Sequence, residues 1–185
     1  MYCALLLPLI ANFAVSGVLI DQIAIVVDKS IIKDSDIERD IRITEFLNNE
    51  PLNLKLAERK KTANKLIDQT FIRSEIRAGD YPTATVEEAN TQLDSLIKKR
   101  YPSPSAFQHA LKIYGLEETD LRDQFRWQLT VLHFIDSRFK PAVEMPEAGS
   151  MIESKVEEEV NHLFFSWLDQ QHKNAKITFL EEGLQ

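Results

Sequence analysis

Near its carboxyl end the chain carries a segment that alternates like a β-strand, NAKITFLEEG at Asn174–Gly183, with Ile177 and Phe179 on one side and Thr178 and Leu180 on the other. Nearly everything ahead of it reads as helix or loop. A lone strand cannot satisfy its own N–H and C=O groups, so the fold must supply a partner. The other strand-like stretch stands near the start. Gln22–Val27 is apolar and β-branched, Asp28-Lys29-Ser30 is a turn candidate, and Ile31-Ile32-Lys33 is a short return. A hairpin edge with open backbone groups is a liability, and two strands alone are marginal in water. Lys176–Leu180 is therefore expected to add to the hairpin, with Ile177, Phe179 and Leu180 gaining burial. The expected fold is mostly α, a single helical domain with a small sheet formed by an N-terminal hairpin and the C-terminal strand.

Helix signals fill the interval. Ser35 with Glu38 has the spacing of a capping box ahead of Ile37, Ile41 and Phe46, and this helix should end near Asn48–Pro51. A longer helix is predicted from about Leu54 to Ala78, with Gly79 as its stop. Thr85 with Glu88 caps a third, striped by Val86, Ala89, Leu93 and Leu96. Ser105 with Gln108 caps a shorter one closed by Gly115. From about Glu117 to Phe139 the chain is apolar on two sides, Leu121, Phe125, Leu132 and Ile135 on one and Trp127, Val131 and Phe134 on the other. Such a helix is buried between several partners. Pro141 ends it, and PAVEMPEAGS is the best linker candidate. A last helix, about Ile152 to His172, leads into the strand.

The opening MYCALLLPLIANFAVSG carries no charge, and its apolar run is too short to span a bilayer. It suits a secretory signal, with Ala14 and Ser16 at the small-residue positions before cleavage, although the n-region lacks Lys or Arg; a buried N-terminal element is the alternative. Cys3, the one cysteine, lies inside it. The net charge of −7 argues against nucleic acid or a polybasic membrane role, since phosphates call for a Lys/Arg surface.

Catalytic chemistry is not visible in the motifs. The four histidines, His109, His133, His162 and His172, include no i, i+4 pair, so no metal site is expected. His133, on the apolar helix, reads as a hydrogen-bonded core residue. Neither a phosphate loop nor a nucleophile elbow is present. Glu157–Glu159 read as a solvated surface, because successive helix residues do not share a face. Lys98–Arg100 suit the end of a helix. No cofactor is expected.

Four stretches in order, IDQIAIVVDKSIIKDSDIERDI, LIDQTFIRSEI, YGLEETDLRDQFRWQLTVLHFIDSRF and WLDQQHKNAKITFL, resemble the SurA-type periplasmic chaperones over nearly all of residues 20–180. The resemblance implies a signal peptide at 1–16, a SurA-like N-terminal chaperone region at 17–140, and a returning helix and strand at 152–185 that complete the same domain. It implies an ATP-independent periplasmic holdase for unfolded or nascent secreted and outer-membrane polypeptides, with no nucleic acid and no stable membrane span once the signal is removed. Family members usually carry a parvulin-type prolyl isomerase domain before the returning helix. Here only the short linker 141–151 stands in that place, and the chain's five glycines include no adjacent pair. Isomerase activity therefore does not carry over, and no enzyme is expected. Clients would be held through apolar surface, with Tyr101, Phe107, Tyr114 and Leu116, on or beside the short helix, as the client-binding candidates. Trp127, Phe134, Phe164 and Trp167 read as core. The alternatives are a non-catalytic assembly protein that binds one folded partner, and a component of a prolyl isomerase system without a catalytic domain of its own.

Overall fold

A computed structural model describes residues 21–143 and 151–184. The expected signal at 1–16 and positions 144–150 of the expected linker lie outside them. The order is β1 (Ile23–Val27), β2 (Ser30–Lys33), α1 (Asp34–Asn48), α2 (Leu56–Gly79), α3 (Val86–Arg100), α4 (Pro104–Tyr114), α5 (Glu118–Arg138), a 3₁₀ turn at Lys140–Ala142, α6 (Met151–Asn174) and β3 (Ile177–Phe179).

The C-terminal strand finds the partner its alternation demands. The sheet order is β2-β1-β3 and both pairings are antiparallel, with Val26 opposite Ile31 on one side and Thr178 on the other. The Asp28 N–H donates to the Lys176 carbonyl at 2.9 Å, and the Leu180 N–H to the Ala24 carbonyl at 2.8 Å. The Asp28 side chain accepts from the Lys176 N–H at 2.9 Å, so the hairpin turn itself clamps the incoming strand. Asp28 sits at φ 52°, a left-handed conformation that Asp tolerates better than most residues.

The burial differs from expectation at one residue. Ile177 and Phe179 are half-buried against the core, but Leu180 points outward, 56% exposed. The tail turns back through Gly183 at φ 93°, and Leu184 enters the core at 2% exposure. Glu181 fixes the turn by pairing with the Arg59 guanidinium at 2.7 Å, and Arg59 also holds Asp34 at the start of α1. Burial pulls the Arg59 pKa down, but its hydrogen bonds to Asp34 and Glu181 outweigh that and raise it.

Two hydrophobic cores share α1. The first gathers β1, α2, the end of α5, α6 and Leu184 around Ile25, Ile37, Ile41, Ile67 and Phe134. The second joins the end of α1 to α3, α4 and the start of α5 through Phe46, Leu93, Phe107, Leu111 and Leu121. Arg100 links α3 to α1 by donating to the Phe46 and Leu47 carbonyls at 3.0 and 2.8 Å, satisfying acceptors left open at a helix end.

Helix caps follow the sequence signals in part. Thr85 and Glu88 form the expected capping box, with the Thr85 N–H donating to Glu88 at 2.7 Å and the Glu88 N–H to Thr85 Oγ at 3.2 Å. Gly115 closes α4 at φ 65°. Three expectations change. α1 begins earlier, at Asp34, with Asp36 accepting the Lys33 N–H at 2.9 Å, while the Ser35 hydroxyl donates to Asp21 at 2.6 Å. Ser103, followed by Pro104 in the first turn, caps α4 in place of Ser105; the fixed φ of proline is pre-set for that position. α2 ends through Asp80 at φ 52°, and Gly79 is its last helical residue, where an added Cβ would stand 2.3 Å from the Tyr81 ring. Leu132, expected on a buried stripe, is 57% exposed.

Candidate functional site

Tyr101, Phe107, Tyr114 and Leu116 do come together, but inside the second core. Phe107 and Leu116 are 2% and 6% exposed. The Phe107 ring lies 5.3 Å from Tyr101 and 6.4 Å from Phe46, and Tyr114 meets Phe46 edge-on at 5.4 Å. The Tyr114 hydroxyl donates to the Glu50 carbonyl at 2.7 Å. A chain-closing aromatic cluster of this kind spends its apolar faces on itself, so Phe107 and Leu116 present no client surface. His133 is corrected in the other direction. It is half-buried rather than core, with its Nε2 3.6 Å from Glu88.

A concave surface lies elsewhere. A cavity of about 820 Å³ opens between α1, α2, α5 and the edge of β2. Each helix contributes one face at spacings of three and four residues. α1 presents Asp36, Arg39, Asp40 and Ile43; α2 presents Leu66, Gln69, Arg73, Ile76 and Arg77; α5 presents Asp120, Asp123, Trp127 and Thr130. Ile31 and Ile32 of β2 close one side. The apolar part is therefore Ile31, Ile43, Leu66, Ile76 and Trp127, surrounded by charge.

Specific bonds set the walls. Arg39 of α1 pairs with Asp120 of α5, and Lys65 of α2 reaches the buried Asp40 of α1 at 2.9 Å. Thr130, 6% exposed, accepts the Ala84 N–H at 3.0 Å and donates to the Arg126 carbonyl at 2.8 Å. The Arg126 Nε–H donates to the Ala84 carbonyl at 2.9 Å, so both backbone groups of Ala84 are fixed to α5. At the other end Arg138 pairs with Glu75 at 2.8 Å and donates to the Tyr81 hydroxyl at 2.9 Å, tying α5 to α2.

Arg73 stands apart. Its guanidinium carbon lies 3.7 Å from the centre of the Trp127 ring, well inside cation–π range. No carboxylate among the described residues pairs with it. The residue reaches solvent, yet the groove surrounds it. That loss of water, reinforced by the neighbouring charge of Arg77, lowers its pKa, while Asp36 and Asp40 act the other way from farther off. It stays protonated at neutral pH, as arginine does. Gln69, one turn earlier, is 9% exposed, and its amide has no hydrogen-bond partner among the described residues.

Arg73 and Gln69 are not among the expected site residues, and Trp127, expected as core, packs against the first core and also lines the groove. The available signal was the i, i+4, i+8 spacing of Gln69, Arg73 and Arg77 on one helix. Among the described residues no group of three His, Cys, Asp or Glu side chains could hold a metal, and no helix is long and apolar enough to cross a membrane. Comparison with protein-family models and with curated proteins gives no match.

Proposed function

We propose that this chain is an ATP-independent, SurA-type holdase of the periplasm, exported by its apolar N-terminal segment, and that it holds unfolded secreted or outer-membrane polypeptides in the groove between α1, α2 and α5. The observation that carries the reading is the groove itself. A cavity of about 820 Å³ whose accessible apolar surface comes from Ile31, Leu66 and Trp127 is large enough for several side chains of an extended chain. The resemblance of the four sequence stretches supports the same reading. No chemical step is assigned to the chain, and its role is to bind and release.

The purified protein should suppress aggregation of an unfolded outer-membrane protein without ATP and leave the cis/trans rate of a prolyl peptide at its uncatalysed value, tens to hundreds of seconds. Trp127→Ala should weaken suppression more than it lowers the melting temperature, because Trp127 is only partly buried. Absence of suppression at any stoichiometry would overturn the proposal. Capture of one folded partner in a fixed ratio would favour the assembly-protein alternative.

A further inference from the structure

The uncommitted charges in the groove are unevenly signed. Of its carboxylates, Asp40 is paired with Lys65 and Asp120 with Arg39; Asp36, which accepts only the backbone N–H of Lys33, and Asp123 have no cationic partner among the described residues. Of its guanidiniums, Arg39 is paired, whereas Arg73, Arg77 and Arg126 have no carboxylate partner among the described residues, Arg126 donating to the Ala84 carbonyl. A protein of net charge −7 thus keeps a small local excess of unpaired positive charge at this cleft, three guanidiniums against two carboxylates.

The spacing of these groups is as informative as their sign. Gln69, Arg73 and Arg77 are successive i, i+4 positions, so each step along α2 is about 6 Å. Alternate side chains on an extended chain recur about every 6.7 Å on one face. A carboxylate at every second residue of an extended segment therefore matches Arg73 and Arg77. An amide side chain such as Gln69, both donor and acceptor, suits a main-chain peptide group.

The sheet supplies a place for that backbone. Ala24 and Asp28 bond to β3, which by antiparallel alternation turns Ile25 and Val27 toward β2. Ser30 and Ile32 then face β1, and the N–H and C=O of Ile31 face the free edge that borders the cavity. Extended peptides commonly bind by adding a strand to such an edge.

We infer that the groove takes an extended acidic polypeptide segment, its backbone along the free edge of β2 at Ile31 and two carboxylates, two residues apart, on Arg73 and Arg77. This rests on the client-groove reading above and gives it a substrate class. Trp127, already under Arg73, packs the apolar residue that accompanies the carboxylates. Arg73 and Arg77 determine specificity.

The test uses fluorescence anisotropy of a labelled peptide of about ten residues, enough to cross a groove of this size. The sequence alternates Thr and Val, with two Glu at i and i+2. One control replaces both Glu by Gln, and another places them at i and i+1. The i, i+2 peptide should bind about tenfold tighter than either control, the effect of one charge-assisted pair. The advantage should shrink at high salt. It should vanish in Arg73→Gln and survive in part in Arg73→Lys, which keeps the charge. N-acetylglutamate should not displace the peptide at concentrations that fill a site for small acids; if it does, the ligand is a free carboxylate and the inference is wrong. Equal binding of all three peptides, or an advantage that persists in Arg73→Gln, also overturns it. If wild-type protein still suppresses aggregation in that case, the holdase reading stands and only the acidic specificity falls. If suppression is absent while the peptide preference holds, the acidic site stands and the holdase reading falls.

Discussion

Leu184→Ala is the sharpest probe of how the chain's end is held. Leu184 is 2% exposed within the core that contains Ile25, Ile67 and Phe134, whereas Leu180, four residues earlier, is 56% exposed. Truncating a buried leucine to alanine costs about 2–5 kcal/mol, less where the site can collapse. A tail anchored by one short strand and the Glu181–Arg59 pair can relax more than a central helix, so the lower part of that range, about 2–3 kcal/mol, is expected. For a chain of this length each kcal/mol moves the melting temperature by about 2–4 °C. Thermal unfolding followed by far-ultraviolet circular dichroism should then show a fall of roughly 4–12 °C. Leu180→Ala, which removes exposed surface, should change stability by no more than about 0.5 kcal/mol. Equal melting of the two variants, or a larger loss in Leu180→Ala, would refute the placement of Leu184 as the anchor and restore the burial expected of Leu180.

Two further outcomes are expected. The Thr85 N–H and hydroxyl hold the Glu88 carboxyl below its ordinary range, so the ionised form belongs to the folded state. Its contribution is complete above the unfolded glutamate pKa of about 4.3 and is lost as pH falls through the lower folded value; wild type should therefore melt higher than Glu88→Gln at neutral pH, and the gap should close below about pH 4. Phe107→Ala should cost about 3–5 kcal/mol by denaturant titration, because the ring is buried among Phe46 and Tyr101; aggregation suppression should fall only as far as folded protein is lost, and a selective loss of suppression would return Phe107 to the client surface.

The architecture was legible because its signals are local and mutually dependent. A period-two segment after a helical chain requires a partner, and Ile23–Val27 offered one. The Thr85–Glu88 box and Gly115 act within one turn, so their spacing alone identifies them. Ser35 and Ser105 failed as caps for a competing local reason. Asp36, in the first turn of α1, takes the Lys33 N–H, whereas Ser103 stands at the cap itself and accepts the Ala106 N–H, with Pro104 fixing the start of α4. Leu184 was not legible, since nothing in the sequence shows that the chain turns at Gly183. The groove was not legible either. Its faces on α1, α2 and α5 are far apart in sequence, and their charged residues read as ordinary solvated helix surface until the helices are packed. Phe107 is core for the same reason, and Trp127, packed against the first core as expected, also lines the groove. Helical periodicity shows that each faces something, but which neighbours meet it is a property of the assembled helices.

The charges also account for why the groove stays open. A purely apolar cleft between three helices would gain by closing, at about 25 cal/mol for each Å² of apolar surface removed from water. Here closure would carry Arg73, Arg77 and Asp123 into a low-dielectric interior without partners, and an unpaired buried charge costs several kcal/mol. The Arg39–Asp120 and Lys65–Asp40 pairs meanwhile fix α1 against α5 and α2. The accessible apolar patch of Ile31, Leu66 and Trp127 is thus kept open by polar residues that cannot follow it inward. The acidic segment proposed above would remove that obstacle, because its carboxylates would neutralise Arg73 and Arg77 as it covers the patch. Binding through apolar surface alone would be only mildly sensitive to salt. Binding of such a segment would couple apolar burial to charge neutralisation and would weaken as salt rises.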